Sequence, residues 1–88
     1  MLMKDVFTKE SIQILKNYGN SDEDIEQIKR AYKKLKLYDE NNKRISKDEA
    51  IKQLGIETFL SGLGRASFHW TASREYIMFD CSDLFKDW

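Results

Sequence analysis

The sequence predicts an α+β domain that is mostly α-helical, with three to four short helices packed around a small C-terminal strand pair. Three observations lead to this fold class. Apolar residues recur at helical spacing through much of the chain, and capping residues stand at the starts of these segments. The segment 76–80, YIMFD, has the composition of a strand. The 88 residues include no proline and no linker, so we expect a single domain over 1–88.

The first two helices are predicted from their caps and charges. Thr8 is the expected N-cap of a helix over about 9–18, which Gly19 ends as a left-handed residue. Ser21 is the expected cap of a longer helix, 22–37. Acidic residues in its first turn and lysines in its last turn suit the helix dipole. Its buried face is expected to comprise Ile25, Ile28, Ala31, Tyr32 and Leu35.

A polar turn, 39–44, leads into a third helix over 47–54. Ser46 and Glu49 have the spacing of a capping box, in which the hydroxyl accepts from the Glu49 amide and the carboxylate returns a bond to Ser46. Gly55 is the expected C-terminal stop of this helix.

The next stretch leaves two secondary structures open. Helical spacing favours a fourth helix over about 57–73, with a core face of Phe59, Leu60, Leu63 and Trp70. Gly62 and Gly64 oppose it, since each costs about 1 kcal/mol relative to alanine in a helix. Another helix packed close to them would explain both glycines. The alternative ends the helix early and makes 66–72 a strand, but the residues that follow lack the glycine or Asn-Gly signal of a tight hairpin.

The C-terminal strand needs a partner, and the candidates are residues 43–45 and 66–72. Ser82 is the expected cap of a final turn. That turn would dock three apolar residues on the body of the domain: Leu84, Phe85 and Trp88.

The motifs of catalysis and metal binding are absent from the sequence. One cysteine, Cys81, and one histidine, His69, cannot supply the four ligands of a zinc site. No glycine-rich phosphate loop or nucleophile elbow is present. The loop from Asp39 to Glu49 resembles an EF-hand, but it lacks the central glycine and is one residue short. We therefore expect a protein that is not an enzyme and that uses no metal and no cofactor.

Charge and cysteine content narrow the class further. Fifteen basic residues balance fifteen acidic ones, so no net charge attracts nucleic acid or a membrane surface. A single cysteine excludes an internal disulfide. No apolar run is long enough for a signal peptide or a membrane span. We expect a cytoplasmic protein, monomeric or homodimeric, without a membrane partner.

One polar stripe of the fourth helix is the predicted partner-binding surface. In the helical interpretation Ser61, Arg65 and His69 align on one face beside Phe68, and Arg74 follows. Arginine and aromatic residues are enriched in binding hot spots. In the alternative, Phe68 and Trp70 fill the core, and Arg65 and His69 only solvate it. The predicted set is Ser61, Arg65, Phe68, His69 and Arg74.

DNA binding is the competing prediction. The segment 47–67 has the outline of a helix-turn-helix that would read DNA with residues 57–65, although Ser61 and Gly64 occupy positions where that motif has branched aliphatics. The predicted helix over 22–37 carries a basic face that either contacts nucleic acid or is simply solvated. This face comprises Lys29, Arg30, Lys33, Lys34 and Lys36.

The run FLSGLGRASFHWTASRE, followed by YIMFD and SDLF, resembles small proteins of phages and mobile elements in low-GC Gram-positive bacteria. The similarity spans about residues 45–85, and the family has no known activity, so it implies no catalytic residues. Small phage proteins of this kind are often inhibitors of host machinery, with anti-CRISPR proteins as one class, or transcriptional regulators. The resemblance thus implies a non-catalytic protein that binds a host protein or protein–nucleic acid complex.

Overall fold

The computed structural model describes residues 6–86 of the protein, which form four helices, four short strands and one 3₁₀ helix. The order along the chain is α1 (Lys9–Asn17), α2 (Asp22–Lys34), β1 (Lys36–Tyr38), β2 (Arg44–Ile45), α3 (Lys47–Leu54), α4 (Ile56–His69), β3 (Thr71–Arg74), β4 (Ile77–Asp80) and the 3₁₀ helix Ser82–Phe85. The predicted fold class, α+β and mostly α, is confirmed. The predicted strand pair is instead a four-stranded antiparallel sheet in the order β2-β1-β4-β3.

The caps of the first two helices form as predicted. The Thr8 hydroxyl accepts from the amide of Ser11 at 3.2 Å. Gly19 adopts φ 94° after the end of α1. Ser21 accepts from the Asp24 amide at 3.1 Å, and the Asp24 carboxylate accepts from the Ser21 amide at 3.0 Å. The bounds of α1 and the start of α2 therefore follow from local chemistry.

The predicted end of α2 at residue 37 is wrong. The helix ends at Lys34, and Lys36–Tyr38 form β1 at the centre of the sheet. Leu37 pairs with Ile45 on one side and with Phe79 on the other. A strand with neighbours on both sides satisfies its backbone hydrogen bonds and buries Leu37, and these gains outweigh a further helical turn.

The prediction for the third helix is confirmed at 47–54. Ser46 accepts from the Glu49 amide at 3.0 Å. The second half of the predicted capping box is replaced, because the Glu49 carboxylate accepts from Gln53 at 2.6 Å. Gly55 has φ 86° and ends α3.

Both alternatives for residues 57–73 are corrected. The helix is present but stops at His69, and Thr71–Arg74 then form β3. A tight hairpin joins β3 to β4 because Arg74 pairs with Ile77, which leaves Glu75 and Tyr76 as its loop. Glu75 takes φ 55° without being a glycine. Cross-strand pairing along β4, which has neighbours on both sides, compensates for the poor turn sequence.

Trp70 does not belong to the core, contrary to the prediction. Phe59, Leu60 and Leu63 are fully buried, whereas Trp70 is 55% exposed. The helix ends one residue before Trp70, which adopts φ 73° and so leaves the helical face. Its indole stacks on Phe85, with ring centroids 5.2 Å apart.

The core surrounds the buried side of α4 and includes residues of all four helices and of β1 and β4. Aromatic rings run through it from Phe7 to Tyr32, Phe59 and Phe79, with neighbouring centroids 5.5 to 6.2 Å apart. Met78, on the opposite face of the sheet, is 44% exposed.

The C-terminal turn is a 3₁₀ helix that Ser82 does not cap. The Ser82 amide donates to the Asp80 carboxylate at 2.9 Å instead. Leu84 packs against the core as predicted. The predicted docking of Trp88 lies outside the described residues.

Gly62 sets the distance between α4 and the sheet. A Cβ atom at Gly62 would stand 2.6 Å from two ring carbons of Phe79 and 3.0 Å from Cγ of Arg74. The predicted close neighbour of this glycine is therefore present, but it is the β3–β4 hairpin and not another helix. At Gly64 the nearest atom is 3.8 Å away, so packing does not require glycine there.

Candidate binding groove

A groove of about 440 Å³ lies between the C-terminal end of α1, one side of α4, and β3. We call it the α4 groove. All five residues of the predicted partner-binding set line it: Ser61, Arg65, Phe68, His69 and Arg74. Its remaining lining comprises Leu15, Tyr18, Asn20, Leu60 and Gly64. The fold therefore gathers the predicted set on one concave surface.

Helical periodicity accounts for most of the alignment. Ser61, Arg65 and His69 are four residues apart and lie above one another on α4. Phe68 lies beside them and is 43% exposed. The other side of α4 is buried against the core, which leaves this stripe as its open side.

Arg74 reaches the groove from β3 and is held in place by hydrogen bonds. Its Nε donates to the Ser61 hydroxyl at 2.9 Å, and its Nη1 donates to the Ser73 carbonyl at 2.7 Å. Its Nη2 lies 3.4 Å from the Ser61 carbonyl. The close approach of β3 to α4 at Gly62 makes these contacts possible. Arg74 is thus a preorganised, half-buried cation.

Arg65 is the exposed cation of the groove. Within residues 6–86 it forms no ion pair, and no acidic side chain is part of the groove lining. His69 is exposed at the end of the same stripe. The groove therefore presents positive charge that the described part of the chain does not neutralise.

Tyr18 and Asn20 are groove residues that the sequence did not reveal. Tyr18 is 51% exposed. Burial raises the pKa of its phenol, the Glu57 carboxylate raises it further, and Arg74 opposes the shift. Asn20 donates to the Leu15 carbonyl at 2.8 Å. Nothing in the sequence pattern placed the α1–α2 turn beside α4.

The predicted basic face of α2 is only partly assembled. Lys29 pairs with Glu26 at 3.4 Å, and Arg30 donates to Gln27 at 3.1 Å. Lys33 and Lys34 are exposed. Lys36 is not on this face, because it belongs to β1 and binds Asp83 at 2.8 Å.

The α3–α4 pair departs from the geometry of a helix-turn-helix. Gly55 alone separates the two helices, whereas the motif has a turn of three to four residues. The first turn of α4 carries Glu57, whose charge lies close enough to Tyr18 to affect its pKa. Arg65 is the only arginine or lysine of α4.

No cluster of three or more His, Cys, Asp or Glu side chains that could hold a metal occurs within residues 6–86. In the EF-hand-like loop, Oδ1 of Asp39 accepts from the amides of Asn41 and Lys43 at 2.8 and 3.0 Å. The Cys81 thiol is buried and faces the Ala31 carbonyl at 3.9 Å. Burial raises its pKa to about 12, and the nearby Asp80 adds to the shift.

Comparisons with known protein families, with curated proteins and with solved structures each give no match. The resemblance to small phage proteins therefore remains a prediction. In the part of the chain that the structure describes, no helix is both long and apolar enough to cross a membrane.

Proposed function

We propose that this protein is a non-catalytic binding protein that docks on a host macromolecule through the α4 groove. The observation that carries the proposal is the convergence of two arginines with exposed aromatic rings on one concave surface. Arginine and aromatic side chains in well-packed pockets contribute most of the energy of many interfaces. Arg74 is already fixed by Ser61 and Ser73, so binding costs less conformational entropy.

The resemblance to phage and mobile-element proteins suggests the class of target. In this proposal the protein acts in the host cytoplasm as an inhibitor of a host defence complex, in the manner of an anti-CRISPR protein. An inhibitor of this kind needs only a surface that occupies a site on its target, and the α4 groove is such a surface.

Transcriptional regulation is the second candidate. Lys33 and Lys34 favour it because both are exposed and neither makes an ion pair within residues 6–86. These two lysines are also remote from the groove lining, which allows the two candidates to be separated by mutation.

Affinity capture from a lysate of a low-GC Gram-positive host tests the proposal. The baits are the wild type, the groove variant Arg65→Gln/Phe68→Ala and the α2 variant Lys33→Gln/Lys34→Gln. All four positions are exposed, so the fold should persist, and circular dichroism checks this. We expect the same protein partner with the wild type and the α2 variant, and its loss with the groove variant.

A mobility-shift titration with the DNA upstream of the gene examines the alternative. Tight binding that weakens steeply with salt and that the α2 variant loses, without any captured protein, would overturn the docking proposal.

A further inference from the structure

We propose that the α4 groove takes an acidic segment of a protein partner, with a carboxylate on Arg65 and Arg74 and an adjacent apolar side chain against Tyr18 and Phe68. This inference rests on the proposed function and names the chemistry of the partner. It is carried by the charge, the free donors, the rings and the size of the groove.

The charge of the α4 groove is complementary to an acidic ligand. The groove lining contains two arginines and a histidine but no carboxylate. The nearest acidic influence is Glu57, which acts on Tyr18 at the edge of the groove. An acidic ligand would therefore meet an uncompensated positive surface.

Arg74 retains N–H donors for a ligand after its bonds to Ser61 and Ser73 are formed. A guanidinium has five N–H donors, and three nitrogens of Arg74 each use one donor on Ser61 or Ser73. Two donors remain in a fixed orientation. Arg65 offers its guanidinium without an ion pair in the described chain. Carboxylates accept paired N–H bonds from such a group.

The two aromatic rings supply the apolar part of the site. Tyr18 is 51% exposed and Phe68 is 43% exposed, and both line the groove beside the arginines. Burying an apolar side chain against them would contribute binding energy that does not depend on salt. The expected ligand is thus an acidic residue next to an aromatic or aliphatic one.

Size and charge favour a peptide over nucleic acid. A groove of about 440 Å³ holds a few side chains. Binding along a phosphate backbone requires many cations in a track, and the chain has a formal net charge of zero. The nearest lysines of α2 do not line the groove.

The test is an amide NMR titration of the ¹⁵N-labelled full-length protein. The probe is a capped pentapeptide of Glu and Asp around a central Phe. The matched control peptide replaces Glu by Gln and Asp by Asn, and oligothymidylate represents single-stranded nucleic acid. We expect the acidic peptide alone to shift resonances of Arg65, Phe68 and Arg74.

Variants separate charge from fold. Arg65→Gln should weaken binding of the acidic peptide about tenfold, because it removes a charged hydrogen-bonding partner. Arg65→Lys should weaken it less, since the charge remains. Arg30→Gln on α2 is the matched control and should leave the affinity unchanged. Raising the salt from about 0.1 M to about 1 M should also weaken binding.

The proposal of an acidic ligand would be overturned by equal binding of the neutral peptide, by shifts on α2 in place of the groove, or by tighter groove binding of oligothymidylate. An absence of groove shifts with the acidic peptide would overturn it as well. In each case, lysate capture that depends on Arg65 and Phe68 would still support the proposed function, so the two claims fail separately.

Discussion

At the scale of single residues, packing requires glycine at one of two positions in α4 and not at the other. Gly62 lies against the ring of Phe79, and this contact brings β3 close enough for Arg74 to reach Ser61. Gly64 has room for a methyl group. Substitution by alanine should therefore have opposite effects at the two positions.

Gly62→Ala should destabilise the protein by up to about 2 kcal/mol. The clash with a buried ring costs about 1–3 kcal/mol, and the gain in helix propensity of about 1 kcal/mol only partly offsets it. Gly64→Ala should stabilise by about 0.5–1 kcal/mol. Urea unfolding of both variants measures these changes, and two changes of the same sign would refute the packing argument.

The reactivity of Cys81 tests the burial of its side chain. Its thiol is fully buried and its pKa is raised to about 12, so little thiolate is available at neutral pH. We expect very slow reaction with a disulfide reagent at about pH 8 in native buffer, and complete reaction at once in guanidinium chloride. Rapid stoichiometric reaction of the native protein would show that the burial is wrong.

At the scale of elements, the sequence predicted those whose limits depend on local chemistry. The caps Thr8, Ser21 and Ser46 and the stop Gly19 act on their own neighbours, so their helices were predictable. β1 was missed because Leu35 continues the helical spacing of Ala31 and Tyr32, which extended the predicted helix beyond its actual end. Its strand conformation depends on β2 and β4, which are distant in sequence.

The residues of the α4 groove also divide into those that local sequence predicts and those that tertiary packing adds. The stripe Ser61, Arg65 and His69 was predictable from helical periodicity alone. Tyr18 and Asn20 join it only through tertiary packing. Trp70 was placed in the core because a helix to residue 73 would have put it there, and one residue at positive φ changes its direction.

An ion-pair cluster joins β1 to the 3₁₀ helix. Asp83 accepts from Lys36 and Lys86, each at 2.8 Å. These hydrogen bonds, that from Lys36 first, lower the pKa of Asp83 from 3.8 to about 2. A depressed carboxyl pKa stabilises the fold above the unfolded value, and the contribution is lost as the pH falls toward 2.

Asp83→Asn should therefore reduce the stability at pH 7, and the difference from the wild type should vanish as the pH approaches about 2. Urea unfolding at a series of pH values measures it. Glu40→Gln, in the exposed β1–β2 turn, is the control and should change little. A difference between wild type and Asp83→Asn that stays constant down to pH 2 would contradict the role of the cluster.

At the scale of the whole molecule, the fold uses α4 for two purposes. Its buried side holds the helices and the sheet together through Phe59, Leu60 and Leu63. Its open side forms the floor of the α4 groove. Because Arg65 and Phe68 are exposed, their substitution should affect binding far more than stability.

Calorimetric titration of the captured partner, once purified, tests whether the α4 groove is the binding surface. The account predicts that Arg65→Gln/Phe68→Ala raises Kd by a factor of about 30 or more, corresponding to about 2 kcal/mol, while the melting temperature changes little. Lys33→Gln/Lys34→Gln should bind like the wild type. An unchanged Kd for the groove variant, or a loss of affinity confined to the α2 variant, would contradict the assignment of the α4 groove as the binding surface.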